Sequence, residues 1–231
     1  MRALVLALCL TSAVFAERRF FAGGSADLVI PYQWHTDSVY TYDSTVDWYR
    51  AVHYNLGIAP GASVFAGFED RLAGAHRFGL ELGYAFVPPA SETIDTQQQV
   101  GATLVKIRER ATLTHHTPRL SIRYTCEMNS QWNLIARIGI ADRIVRRTIE
   151  PEPQNLLTGV VLTPGNYPAR DDVYGVLTAD LAGGIEYVAD GRHGISFLVA
   201  VNPPVVYPET VRNHIVLPYF ATLSLGYRYL W

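Results

Sequence analysis

The sequence predicts an all-β fold: a closed, antiparallel, up-and-down transmembrane β-barrel of eight strands, with ten left open. Three observations carry the prediction. Residues 219–231 alternate strictly, with Tyr219, Ala221, Leu223, Leu225, Tyr227, Tyr229 and Trp231 on one face and Phe220, Thr222, Ser224, Gly226, Arg228 and Leu230 on the other. Period-two alternation is the mark of a strand, and here one face is apolar while the other is small, polar or charged. Seven further stretches repeat the pattern. Short and long connections then alternate along the chain, as the turns and loops of a membrane barrel do.

Each strand is justified in turn. Strand one (18–30) puts Phe20, Ala22, Ala26, Leu28 and Ile30 toward lipid and Arg19, Gly23, Ser25 and Asp27 inside. Strand two (61–71) sends Ala62, Val64, Ala66 and Phe68 out, with Ser63, Phe65, Gly67 and Glu69 in. The third is the clearest, with Phe78, Leu80, Leu82, Tyr84 and Phe86 out and Arg77, Gly79, Glu81, Gly83 and Ala85 in. The fourth (about 115–126) sends Leu120, Ile122, Tyr124 and Cys126 out and Arg119, Ser121, Arg123 and Thr125 in. The fifth has Trp132, Leu134, Ala136, Ile138 and Ile140 outward and Arg137 inward. In the sixth, Leu177, Ala179, Leu181, Ile185 and Tyr187 face out against Thr178, Asp180 and Glu186. The seventh turns Ile195, Phe197, Val199 and Val201 to lipid, and the C-terminal stretch is the eighth. Each apolar face is about five residues long, as a tilted strand of ~9–11 residues crossing a bilayer requires.

Three tight turns separate these strands, at 72–76, 127–131 and 189–194, where Gly and Asn supply the backbone freedom of short hairpins. The long, Pro- and polar-rich connections fall at roughly 31–59, 88–112, 150–173 and 203–215; the first is expected to continue the strands above the membrane with its aromatics packed on neighbouring loops, and the third to be an irregular exposed excursion. Aromatic residues cluster at both ends of the strands: Phe20, Trp132, Tyr187, Tyr229 and Trp231 at one, Tyr32, Tyr84, Phe86, Tyr207 and Tyr219 at the other. Amphipathic rings favour the two interfaces of a bilayer. In a soluble barrel the two faces would be inverted.

Composition agrees with one ordered domain, at 49% hydrophobic and 12% aromatic residues. The chain opens with a short positive start, an apolar run 3–10 and a small-residue site ending at Ala16, the pattern of a cleaved signal peptide over 1–16. The barrel domain is then 17–231, with a net charge of about −3, which gives no support to nucleic-acid binding. Cys126 is the only cysteine left after cleavage, so an internal disulfide is excluded. Lys106 is the only Lys beside many Arg, and Arg is the better partner for buried carboxylates.

With Leu223, Leu225, Tyr227, Tyr229 and Trp231 at alternate positions up to the end of the chain, the sequence resembles the small OmpA/OmpX-type outer-membrane β-barrel family across the whole mature region. That resemblance implies residence in a bacterial outer membrane, contact with its lipid and lipopolysaccharide, and insertion by the barrel assembly machinery, which reads such a C-terminal signal. It implies no particular activity.

The candidate site is the interior. Asp27, Glu69, Glu81, Asp180 and Glu186 share the inward faces with Arg77, Arg119, Arg123, Arg137 and Arg228. An eight-stranded barrel is just wide enough for side chains to fill, so these charges are expected to pair in a plugged core, with a polar pore for small solutes as the alternative. A lipid-modifying enzyme is the third reading. His193 and Ser196, three apart in a strand, face opposite sides and do not make a nucleophile–base pair. His115 and His116 diverge likewise, and no pattern asks for a cofactor or metal. The aromatic-rich first connection (31–59) and the third (150–173) are the candidate surfaces for a partner. Arg108-Glu109-Arg110 is expected above the membrane, where Arg suits phosphate.

Overall fold

A computed structural model describes residues 18–31, 34–41, 47–54, 58–100, 103–155, 170–206, 215–216 and 220–231. All regular structure in it is β. Eight strands make the barrel: β1 (Arg19–Pro31), β4 (Ala59–Ala73), β5 (His76–Val100), β6 (Thr103–Glu127), β7 (Trp132–Asn155), β8 (Arg170–Ala189), β9 (His193–Val201) and β12 (Phe220–Leu230). Each is antiparallel to its neighbours, in the order β8-β7-β6-β5-β4-β1-β12-β9, and β9 pairs back to β8 to close the ring. The first and last strands meet in register from Phe21↔Leu230 to Pro31↔Phe220. Below them the Phe20 N–H donates to the Trp231 carbonyl at 3.1 Å, and the Trp231 N–H returns the bond at 3.0 Å. Closure leaves no sheet edge inside a bilayer, where an unpaired backbone group has no water to bond.

The faces fall as the alternation demands. Leu82 is 64% exposed and Ile138 59% on the outside, whereas Glu81 and Arg77 beside them on the inner face are 0% and 1% exposed. Outward apolar side chains ring the whole barrel, and a soluble protein has no use for such a belt. Aromatic pairs mark one rim: Trp132 against Tyr187, Phe20 against Phe68 and Tyr229 stacked on Trp231. Tyr84, Phe86 and His116 pack together toward the other. Tyr32, Tyr207 and Tyr219 lie outside the residues whose side chains are described.

Two of the three short turns are built on positive φ. Gly74 sits at 53°, and the pair Asp190-Gly191 at 49° and 73°, in the three-residue loop 190–192, a conformation that L side chains other than Asn or Asp adopt poorly. The turn at 127–131 works differently. Asn129 supplies its side-chain oxygen, which accepts the N–H groups of Gln131 and Trp132 at 2.9 Å each.

Much of the long connections is strand, including both ends of the third, in place of the expected irregular excursion. Strand β5 runs on to Val100 and β6 starts at Thr103, so the two arms of 88–112 are paired strands up to Val100↔Thr103, with a bulge between Val87 and Ala90 that takes up Pro88 and Pro89. Likewise β7 extends to Asn155 and β8 begins at Arg170, so only the middle of 150–173 lies outside the described strands. With ~10 residues enough to cross the bilayer, the 25-residue β5 and β6 and the 24-residue β7 carry half their length or more beyond it. The first connection holds β2 (Trp34–Thr41) and β3 (Asp47–Tyr54), which join β11 (Ile215–Val216) in a separate three-stranded sheet. That hairpin does not enter the barrel wall, so the count is eight and not ten. A short β10 (Pro204–Val206) continues the line of β9 along β8, with a register shift inside it between Pro204 and Val206.

Candidate functional site

The inward positions of β1, β4–β9 and β12 converge on the lumen, and the register decides which charges meet. Glu81 on β5 is the hub. Arg119 and Arg123, from the next strand, reach it at 3.1 and 2.9 Å, and Arg137 from β7 at 3.0 Å. Arg137 also grips Asp180 of β8 at 2.7 Å, and that carboxylate accepts the Ser121 hydroxyl at 2.6 Å. Nearer the turn end, Glu186 takes both arms of Arg228, accepts the Asn133 amide at 2.9 Å and stands 3.6 Å from Arg123. Arg228 closes the circuit across the barrel seam to Glu69 at 3.2 Å, where the Thr125 hydroxyl also bonds. Four guanidiniums and four carboxylates thus form one connected network spanning the lumen. Gly83 gives it room: a Cβ there would come within 2.5 Å of the Arg119 Nε.

Two predicted members stand at the ends of this network. Arg77 is turned to the rim, where its Nε donates to Glu127 at 2.6 Å beside Arg71 at 2.9 Å. Asp27 lies toward the loop end and accepts the Ser25 hydroxyl at 2.7 Å, with Ser63 bonded to the same Ser25. Arg143 was not among the sequence candidates, yet it is 3% exposed and faces inward on β7. Its neighbours 141–147 mix apolar and charged residues past the lipid belt, so alternation gave no face to choose. Phe21 was missed as well. It is 0% exposed and packs with Val188, Leu230 and Phe65 beneath the network, with the guanidinium carbons of Arg123 and Arg228 each 5.3 Å from its ring.

The network separates two spaces. Toward the loop end a cavity of about 60 Å³ is lined by Asp27, His115, Arg119, Arg137, Arg143 and Asp180 among others. Toward the turn end one of about 170 Å³ is lined by Arg19, Glu69, Glu127, Asn133 and Arg228 among others. Buried charges of this kind persist only with partners, because stranding one costs several kcal/mol. Chemically the arrangement binds itself: each carboxylate of the network accepts from two or more donors.

The remaining candidates separate. His193 stands on the outer face, hydrogen-bonded to the Tyr227 hydroxyl at 2.7 Å, while Ser196 is buried within. His115 is buried inside, and His116 faces out to the Tyr84 hydroxyl at 2.5 Å. Among the described residues no three His, Cys, Asp or Glu side chains are grouped to hold a metal ion. Arg108 and Arg110 are exposed on the part of β6 beyond the lipid belt. Leu223, Leu225, Tyr227, Tyr229 and Trp231 all stand on the outer face of β12 or just past its end.

A closed eight-stranded antiparallel barrel, charged within and apolar around its girth, is the architecture of the small outer-membrane β-barrels. The outer membrane protein OprG of Pseudomonas aeruginosa superposes with a TM-score of 0.51 at 12% identity, over 92% of this chain and 95% of that one. Ail, the attachment invasion locus protein of Yersinia pestis, gives 0.45 at 8% identity over 93% and 99%. The outer membrane protease OmpT of Escherichia coli gives 0.44 at 9% identity over 92% and 97%. At these identities the likeness is one of fold. No protein-family model matches the sequence. No curated protein matches it either.

Proposed function

We propose that this chain is a non-enzymatic barrel of the bacterial outer membrane, sealed inside, which serves envelope structure or surface interaction through what stands above the bilayer. The observation that carries this is the Arg–carboxylate network joining Glu81, Asp180, Glu186 and Glu69 across the lumen between the two cavities. A pore needs a continuous wet path, and this one is filled by paired side chains.

Above the lipid belt the long strands β5 to β8 form a paired wall, and the β2–β3–β11 sheet stands as a second element. Beyond Phe86 strand β5 has no partner on its β4 side among the described residues. An open edge of this kind favours pairing with an extended segment of another protein. Connections 31–59 and 150–173 remain the proposed contact surfaces. The same reading puts the upper girth against lipopolysaccharide and gives the alternate residues Leu223 to Trp231 to recognition by the barrel assembly machinery. The separation of His193 from Ser196 argues against a lipid-modifying enzyme built on that pair.

Planar-bilayer conductance of the refolded protein tests the proposal. Folded protein that inserts and yields no reproducible channel supports it. Steady conductance would overturn the sealed interior and make the inward Arg and Glu residues the lining of a small-solute channel.

A further inference from the structure

Among the described side chains, the turn end of the barrel carries more positive than negative charge. Arg18, Arg19, Arg71, Arg77 and Arg192 stand there against Asp70, Glu127 and Asp190. Most are paired: Arg18 forks onto Asp70 at 2.9 and 3.0 Å, and Arg71 and Arg77 converge on Glu127. Arg19 is held off at 3.9 Å from that same, already occupied carboxylate. The Arg192 guanidinium, at the tip of the β8–β9 turn, has no hydrogen bond or ion pair among the described residues.

Arg19 and Arg192 line one cleft of about 390 Å³ with Gly191, Tyr229, Leu230 and Trp231. The volume falls in the roughly 300–1,000 Å³ range of small-ligand sites. On its outer side lie the stacked Tyr229 and Trp231 rings, with Trp231 61% exposed. A ligand filling the cleft therefore meets two cationic residues and, on the outer side, the aromatic pair Tyr229 and Trp231. Guanidiniums match phosphate oxygens in geometry as well as charge. A soluble phosphate has nothing to lay on the rings; a phospholipid does.

We propose that Arg19, Arg192, Tyr229 and Trp231 form a binding site for the phosphate headgroup of an anionic phospholipid in the leaflet at the turn end of the barrel. The proposal rests on the reading of the chain as membrane-inserted. Native mass spectrometry of the refolded protein, titrated with phosphatidylglycerol or phosphatidylcholine of matched chains, tests it, with the heat-dependent gel shift confirming the barrel in every sample. The wild type is expected to retain phosphatidylglycerol preferentially. Arg19→Gln and Arg192→Gln should each weaken that retention about fivefold, the worth of one cation near a lipid surface. Arg18→Gln removes a charge already matched by Asp70 and should change it less than about twofold. Equal retention of the two lipids overturns the site, and so does a loss in Arg18→Gln as large as in Arg192→Gln, which would make it diffuse rim charge. Displacement of the lipid by inorganic phosphate at equal concentration would assign the cleft to a soluble anion and also overturn it. A protein with no gel shift would sink the membrane reading together with the site.

Discussion

Glu81 is one carboxylate shared by three guanidiniums, and no single strand pattern shows that. The inward faces of β5, β6 and β7 were each legible from alternation, but the meeting of Glu81 with Arg119, Arg123 and Arg137 depends on register. Register between long strands is set by turn geometry and bulges, which the sequence marks only at their tips. Phe21 shows a second limit. Two adjacent aromatic residues, Phe20 and Phe21, fit either phase, and the inner one seals the core below the charges. Glu81→Gln keeps the shape and removes the charge, leaving three guanidiniums around a neutral amide. The variant should lose about 3–5 kcal/mol of stability, the usual cost of stranding buried charge. The urea midpoint of the folded, fast-migrating band measures it. A midpoint close to wild type would mean that Glu81 is not the hub.

At the scale of elements, the membrane-crossing halves of the strands were readable and their outer halves were not. The lipid belt imposes an apolar face, whereas the extensions of β5 and β6 past Phe86 carry no such demand and contain Pro88, Pro89 and runs of Gln and Thr. Those read as loop residues, yet strand pairing continues through Val100↔Thr103 because each backbone finds its neighbour. One surface contact on the extensions reports their order. Arg146 on β7 forks onto Asp171 on β8 at 3.0 and 2.6 Å, and the Thr148 hydroxyl lies near. That Arg146 hydrogen bond outweighs desolvation and, with the Arg146 charge, holds the Asp171 carboxyl below its ordinary value of 3.8. A lowered pKa in the folded state means the contact stabilises above 3.8 and is lost as pH falls through the folded value. Amide exchange at the outer ends of β7 and β8, corrected for intrinsic rates, should therefore be flat from about pH 7 to pH 5 and rise only below the ordinary carboxylate pKa. Asp171→Asn should abolish the step. A step at higher pH, or one surviving in the variant, would assign it to another group.

For the whole molecule, closure follows from a count the sequence contained: three short turns, four long connections and both ends of the barrel on one rim. It did not contain the fate of the first connection, whose hairpin forms its own sheet with Ile215–Val216 instead of widening the ring. Pairing between segments so far apart leaves no local signal. What decides the architecture is the inversion of faces, with Leu80, Leu82 and Tyr84 outside and Glu81 inside on the same strand. The most direct test places a fluorescent label singly at cysteines introduced at the outward positions 78, 80, 82 and 84 of β5 and at 91 and 93 on its extension, in the refolded protein (with Cys126→Ser), and measures quenching by bromine-labelled acyl chains. Quenching should be strong at 78, 80, 82 and 84, where the apolar side chains stand exposed, and weak at 91 and 93 beyond the lipid belt. Weak quenching at 78 to 84, or equal quenching at all six positions, would contradict a barrel that faces lipid outside and seals its charges within.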